Sequence, residues 1–271
     1  MIRIGDLTVN RLGFGAMRVC GPNIWGPPRD RANALSVLRR PIELGVNFYD
    51  TADSYGPHVD EELIAEALHP YPKDLVIATK GGLVRPRPGA WDPDGRPEHL
   101  KRALDGSLQR LKLERIDLYQ LHAPDPKVPF ADSVGALADG QRAGKIRHVG
   151  LSNVSVKQLE EARKICPIVS VQNRYNVEDR SSEAVLKACE KLGIAFLPWF
   201  PLGSGEALKT EKIKSIARKN KATAAQVALA WLLAKSPVMV PIPGTKSLEH
   251  LDDNIAAADL KLSAEDLAAL N

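Results

Sequence analysis

Cysteine is scarce and poorly placed for chemistry: Cys20, Cys166 and Cys189 are the only three, an odd number at wide spacing with no CxxC pair. That argues against a disulfide framework or a zinc site, and leaves thiols packed in a reducing compartment. No stretch reaches the about 18 uninterrupted apolar residues of a membrane helix. The opening residues Met1 to Asp6 show no secretory cleavage pattern, so the protein is expected to be cytoplasmic. Runs of about five or six like charges are missing as well. Lys and Arg total 37 against 33 Asp and Glu, a net charge of +4. That bias is too mild to argue for nucleic acid or a membrane as partner, although a locally basic pocket for a phosphorylated ligand is compatible with it.

What is present is ordinary for a globular chain: 44% hydrophobic and 26% charged residues over 271 positions. Such a length buries about three quarters of its unfolded surface and needs no staples. Short apolar runs alternate with longer amphipathic stretches. Residues 46–49, 75–78, 116–121, 146–149, 168–171, 194–197 and 238–242 read as strands, and 12–15 as a weaker first one. Helical spacing marks 60–68, 100–111, 132–143, 156–165, 182–192 and 224–233 between them, with Gly144 and Gly193 where the chain leaves a helix. Eight such units without a composition break predict an α/β fold, a single (β/α)8 TIM barrel forming one domain over residues 1–271, with a short hairpin in residues 1–9. The alternative is an open doubly wound sheet, which carries G-x-G-x-x-G after its first strand. Here Gly13-Phe14-Gly15-Ala16-Met17-Arg18 begins that pattern and fails at the third glycine. Residues 84–97, with four prolines, read as a plain loop.

Ionisable residues cluster at predicted strand ends. Asp50 ends the second strand, Tyr55 follows five residues on, Lys80 ends the third and His122 the fourth. In a closed barrel these ends share one rim. A phenol is a poor acid-base group at neutral pH, and a neighbouring ammonium favours its phenolate. A carboxylate keeps the ammonium charged and in place. An imidazole can donate to a carbonyl oxygen. Together the four make a proton-delivery site suited to carbonyl reduction. Taken singly, each has a plainer reading: an ion pair for Lys80, loop packing for Tyr55, a structural histidine for His122. Only their joint placement favours the catalytic one. No metal-ligand pattern accompanies them.

On these residues the sequence resembles the aldo-keto reductase family. The resemblance lies in Asn47-Phe48-Tyr49-Asp50-Thr51-Ala52-Asp53-Ser54-Tyr55-Gly56, in Ala78-Thr79-Lys80-Gly81, in Asp117-Leu118-Tyr119-Gln120-Leu121-His122, and in Gly144-Lys145-Ile146-Arg147-His148-Val149-Gly150-Leu151-Ser152-Asn153. It runs from about Gly13 to Asn254. The resemblance implies hydride transfer between NADP(H) and a small carbonyl compound, with Tyr55 as general acid, Lys80 and Asp50 tuning it, and His122 fixing the carbonyl. It implies that Ser152, Asn153 and Gln172 hold the nicotinamide carboxamide and that Trp199 stacks on the ring. Leu202, Gly203 and Ser204 fall in the pyrophosphate loop. Gly244, Thr245, Lys246, His250, Asp253 and Asn254 fall in the adenosine phosphate segment. His250 stands where many members have arginine, which binds phosphate bidentately and is always charged. Trp25, Trp91 and Phe130 are expected to wall the substrate pocket, and the bacterial pyridoxal-reductase branch is the nearest in character. The protein is expected to act as a monomer. Two rivals are a Schiff-base aldolase on Lys80 and a cofactor-binding accessory subunit with little turnover.

Overall fold

A computed structural model of the chain describes residues 1–203 and 205–271. The chain opens with an antiparallel hairpin, β1 (Ile2–Ile4) and β2 (Leu7–Val9). Gly5 supplies the turn at φ 62°, a conformation open to glycine without a Cβ clash. The barrel strands follow: β3 (Phe14–Gly15), β4 (Phe48–Asp50) and β5 (Val76–Gly81). Next come a small hairpin, β6 (Leu83–Val84) with β7 (Asp92–Pro93), and then β8 (Ile116–Leu121), β9 (Ile146–Ser152), β10 (Ile168–Gln172) and β11 (Ala195–Phe196). Seven of these form one parallel sheet in the order β11-β10-β9-β8-β5-β4-β3.

An eighth extended segment, residues 238–243, closes the ring. On one side Phe196 N–H donates to the Val238 carbonyl and Val240 N–H to the Phe196 carbonyl, both at 2.8 Å. On the other, Gly13 N–H donates to Pro241 O at 2.9 Å and Gly15 N–H to Pro243 O at 3.1 Å. This stretch forms no regular ladder, because Pro241 and Pro243 have no N–H to return toward β3. The expected (β/α)8 barrel is therefore present, with its last stave bonded unequally. An open sheet is excluded by this closure.

Helices surround the ring: α1 (Arg31–Glu43), α2 (Val59–Leu68), α3 (Pro97–Leu111), α4 (Phe130–Arg142), α5 (Val156–Ala162), α6 (Glu183–Leu192), α7 (Glu211–Lys219), α8 (Ala224–Lys235), α9 (Leu248–Ala256) and α10 (Ala264–Leu270). Side-chain caps start many of them. Ser155 with Gln158 and Thr223 with Gln226 make reciprocal capping boxes on α5 and α8, worth about 1 kcal/mol per cap. Pro97 opens α3 at a position where its missing N–H costs nothing, so this helix begins a turn before the apolar spacing suggests.

The barrel interior holds an apolar core of Phe48, Val76, Ala78, Leu118, Leu197, Val240 and Ile242, and Ile4, Leu7 and Val9 of the hairpin join it. Each of these side chains but that of Ala78 contributes about 1.5–3 kcal/mol on burial. The hairpin thus plugs the end of the barrel from which the strands start. Asp6 clips it there, paired with Arg147 at 2.8 Å and with His148. The functional side chains are left to the opposite rim. Residues 84–97 are not wholly a loop, since Val84 pairs with Asp92 and Leu83 with Pro93. A two-residue ladder is too short to leave a periodicity in sequence.

Candidate active site

Strands β4, β5 and β8 lie side by side and end together, so their last polar residues converge. Lys80 is fully buried (0% exposed), and its ammonium donates to Asp50 Oδ2 at 2.6 Å, to the Thr51 carbonyl at 2.8 Å and to the Tyr55 hydroxyl at 3.3 Å. An ammonium has three N–H bonds, so this lysine is committed. The second oxygen of Asp50 accepts from Gln172 Nε2 at 2.7 Å and from Gln120 Nε2 at 3.3 Å. Ser170 Oγ in turn donates to Gln120 Oε1 at 3.3 Å. A string of buried amides inside the barrel therefore fixes the carboxylate that fixes the lysine.

Burial sets the protonation states. It pushes the Tyr55 phenol up to about 12, while the Lys80 ammonium pulls the other way. The ammonium acts in the direction expected from the sequence, but desolvation outweighs it, and the phenol keeps its proton at neutral pH. Burial also works to pull Lys80 down; Asp50 and Tyr55 outweigh it and leave the lysine above its ordinary value. His122 is driven well below the usual imidazole range, first by burial and then by Lys80, so it is neutral. Its ring stands edge-on to Tyr55 at 5.7 Å, and its Nδ1 meets Ser54 Oγ at 3.3 Å.

Trp91 forms a wall beside this pair, 6.1 Å from the Tyr55 ring and 6.5 Å from His122. Behind it the Arg85 guanidinium stacks at 3.7 Å from the Trp91 ring and 5.6 Å from that of Trp25. The structure does not bring Phe130 into this ring cluster. It opens α4 and packs, partly buried, against the large core between helices and strands.

A second group lies on the same rim. Asn153 follows β9 in a left-handed conformation, φ 58°, which asparagine tolerates better than most residues. Its Nδ2 donates to the His122 carbonyl at 2.9 Å and to Ser152 Oγ at 3.1 Å, and its Oδ1 accepts from the Trp199 indole at 3.0 Å. Gln172 has its amide nitrogen turned to Asp50, so its oxygen is the end left over. Leu202 and Gly203 sit in a turn where Gly203 N–H donates to the Phe200 carbonyl at 2.9 Å. Ser204 lies outside the described residues. Gly244 packs directly on β3: a Cβ there would collide with the Gly15 carbonyl oxygen. Thr245 Oγ1 accepts from Ser247 N–H at 3.1 Å, and Ser247 caps α9 through His250 N–H at 3.3 Å. Lys246 and His250 are exposed, Asp253 is half-buried and Asn254 is buried on that helix. Lys246 makes no ion pair among the described residues. These donors fit a nicotinamide dinucleotide: hydroxyl and amide groups beside His122, an indole at the rim, and a free cation at a helix start for phosphate.

A sequence profile of the aldo/keto reductase family matches residues 11–271. The chain belongs to that family. Pyridoxine 4-dehydrogenase of Escherichia coli is 45% identical to it over 99% of this chain and 96% of that protein. A crystal structure of a thermostable aldo-keto reductase with the inhibitor epalrestat superposes with a TM-score of 0.84 at 35% identity, covering 97% of this chain and 94% of the other. An aldo-keto reductase from Klebsiella pneumoniae in complex with NADPH gives a TM-score of 0.82 at 26% identity, over 97% and 90%.

This aldo/keto reductase is an oxidoreductase, and Asp50, Tyr55, Lys80 and His122 are the residues its barrel gathers. Sequence reasoning passed over Gln120, Ser54 and Arg85. Gln120 had a signal: an amide between Tyr119 and Leu121 in a buried stretch of strand, on the register row of Lys80. Ser54 had only its place beside Tyr55, since its partner His122 lies 68 residues on; Arg85 had none, since its partners are loop carbonyls far away in the chain. Among the described residues no group of three metal-ligating side chains occurs, and no helix is long and apolar enough to cross a membrane.

Proposed function

We propose that this aldo/keto reductase interconverts a small aldehyde or ketone and its alcohol with NADP(H), Tyr55 giving the proton to the carbonyl oxygen. One observation carries the reading: a buried ammonium shared between Asp50 and the Tyr55 hydroxyl, 2.6 and 3.3 Å away. NADPH, when bound, supplies the hydride that the carbonyl carbon receives. Tyr55 holds its proton until the oxygen gains charge, then releases it to that oxygen and is left as phenolate. Lys80 stabilises this phenolate, and Asp50 keeps Lys80 charged and in position. His122, neutral and engaged at Nδ1 by Ser54, turns its other nitrogen to the same carbonyl oxygen. Alcohol oxidation runs these proton movements backwards.

Ser152, Asn153 and the oxygen of Gln172 would hold the nicotinamide carboxamide, and Trp199 the ring. Leu202 and Gly203, with Ser204, would line the pyrophosphate. Gly244, Thr245, Lys246, His250, Asp253 and Asn254 would hold the adenosine phosphate. Trp25 and Trp91 wall the substrate side. The Escherichia coli relative supports pyridoxal and pyridoxine as the substrate pair. The whole of residues 1–271 acts as one domain, a monomer in the cytoplasm.

The test follows nicotinamide absorbance in single turnovers, with NADPH and NADH side by side against pyridoxal and simple aldehydes. Oxidation of NADPH in preference to NADH supports the reading. Silence with both cofactors despite tight binding of one overturns it in favour of an accessory subunit.

A further inference from the structure

Arg85 stands outside the tetrad, in the loop between β6 and β7. It is only 7% exposed, yet no carboxylate accepts from it among the described residues. Its Nη1 donates to the carbonyls of Ile24 at 3.1 Å and Ser54 at 3.5 Å, and its Nη2 to that of Asn23 at 3.2 Å. Its Nε has no hydrogen-bond partner. Trp91 and Trp25 lie against the guanidinium, and Trp91 is the residue that faces Tyr55 and His122.

Carbonyl dipoles and indole faces solvate a cation, but they do not neutralise it. A buried charge with no counter-ion is costly. Nearby, Lys80 is paired with Asp50, and the buried carboxyl of Asp60 is taken by Thr51; neither carboxylate bonds to Arg85. Among the described residues its positive charge therefore sits behind the wall of the substrate pocket without an ion-pair partner.

We propose that Arg85 is a specificity-determining residue whose charge selects carbonyl substrates bearing an anionic oxygen, carboxylate or phenolate, on the same small ring or chain as the carbonyl. This rests on the carbonyl-reducing reading of the same site. A pyridoxal-type ring with its hydroxyl ionised belongs to the class, as do aldehydes carrying a carboxylate. A substrate of this kind completes the charge pair that the protein leaves open. The competing role is purely structural, with Arg85 only stapling the loops of residues 23–24 and 54 to its own.

A matched pair of substrates separates the two roles: 4-carboxybenzaldehyde and its methyl ester, of similar shape, the first anionic and the second neutral. kcat/KM is measured for both in the wild type, Arg85→Gln and Arg85→Lys. The anionic-to-neutral ratio is expected to fall by about tenfold or more in Arg85→Gln and to be largely kept in Arg85→Lys. Taking the ratio inside each variant cancels any general loss of fold. Equal loss on both substrates, with the ratio unchanged, overturns the proposal. Dissociation constants for 4-(hydroxymethyl)benzoate and its methyl ester, read from quenching of tryptophan emission, give the same ratio without turnover. If the wild type reduces neither aldehyde, the carbonyl-reducing reading falls, and the binding ratio still decides the role of Arg85. A binding ratio that does not change in Arg85→Gln sinks it.

Discussion

Trp199 donates its indole N–H to Asn153 Oδ1 at 3.0 Å, and the amide of Asn153 reaches on to the carbonyl of His122 at 2.9 Å. One left-handed asparagine thus joins the proposed nicotinamide platform to the proposed carbonyl-orienting histidine, across three different strand ends.

Replacing Asn153 by glycine keeps the backbone conformation and removes these bonds. We expect the barrel to fold and NADPH affinity to drop about tenfold, as for one or two lost polar contacts. Titration of tryptophan emission with NADPH measures it. An unchanged dissociation constant would show that Trp199 needs no such anchor.

Tyr55→Phe removes only a hydroxyl from a buried ring. Cofactor affinity should stay within about twofold, and kcat for aldehyde reduction should fall by about two orders of magnitude or more, the range for losing a general acid. Single-turnover rates at saturating NADPH are the measurement. Retained turnover would remove Tyr55 from that role.

The pH dependence follows from the elevated phenol. Tyr55 is raised to about 12 by burial, against the pull of Lys80, so reduction, which needs the phenol, should stay level through neutral pH and fail only as pH rises toward that value. Oxidation needs the phenolate and should climb over the same alkaline range. Lys80→Met removes the downward pull, so its alkaline limb should move further up and oxidation should suffer more than reduction. An unmoved limb in the variant would separate Lys80 from Tyr55.

The same substitution strands Asp50, whose side chain is 4% exposed against 0% for Lys80. Breaking a buried pair by removing one partner costs about 3–5 kcal/mol. Urea unfolding of Lys80→Met should show that loss, and Asp50→Asn with Lys80→Met should recover part of it. Equal stability of the single and double variants would mean that water, not burial, governs the pair.

Cofactor choice turns on exposed residues at the start of α9. Lys246→Met should weaken NADPH by about tenfold and leave NADH nearly untouched, while His250→Arg should strengthen NADPH by supplying a permanent charge with a bidentate fork. Comparison of the two dissociation constants in each variant checks both. Parallel changes for NADPH and NADH would place the phosphate elsewhere.

The barrel and its tetrad were legible because three of the four catalytic candidates end apolar runs, with Tyr55 in the loop just after the first, and a closed parallel ring gives those ends one destination. Asp50, Lys80 and His122 needed nothing more than strand order. The rest lay in relations that periodicity does not encode. Arg85 reaches carbonyls 31 to 62 residues away, and a carbonyl belongs to every residue type. Gln172 was legible as a rim residue, but not its turn toward Asp50, which follows from a carboxylate with a spare oxygen inside the barrel. Phe130 was expected at the pocket wall; helix α4 begins there and turns the ring, partly buried, against the large core instead. The hairpin of β6 and β7 was hidden by its brevity, two residues a side.

The unequal bonding of the eighth stave makes the barrel a ring with a clasp. Residues 238–243 exchange bonds both ways with Phe196, but toward β3 only Gly13 and Gly15 donate. When the ring breathes, it should part at that clasp, where the two ends of the sheet meet, and the amides of Gly13 and Gly15 should be the first in the sheet to exchange with deuterium. Residues 244–247, which lead to the proposed phosphate site, leave the ring from the same place. Local unfastening of the ring and access to the proposed dinucleotide site are then expected to be coupled, and a ligand gripping Lys246 would fasten the clasp from outside.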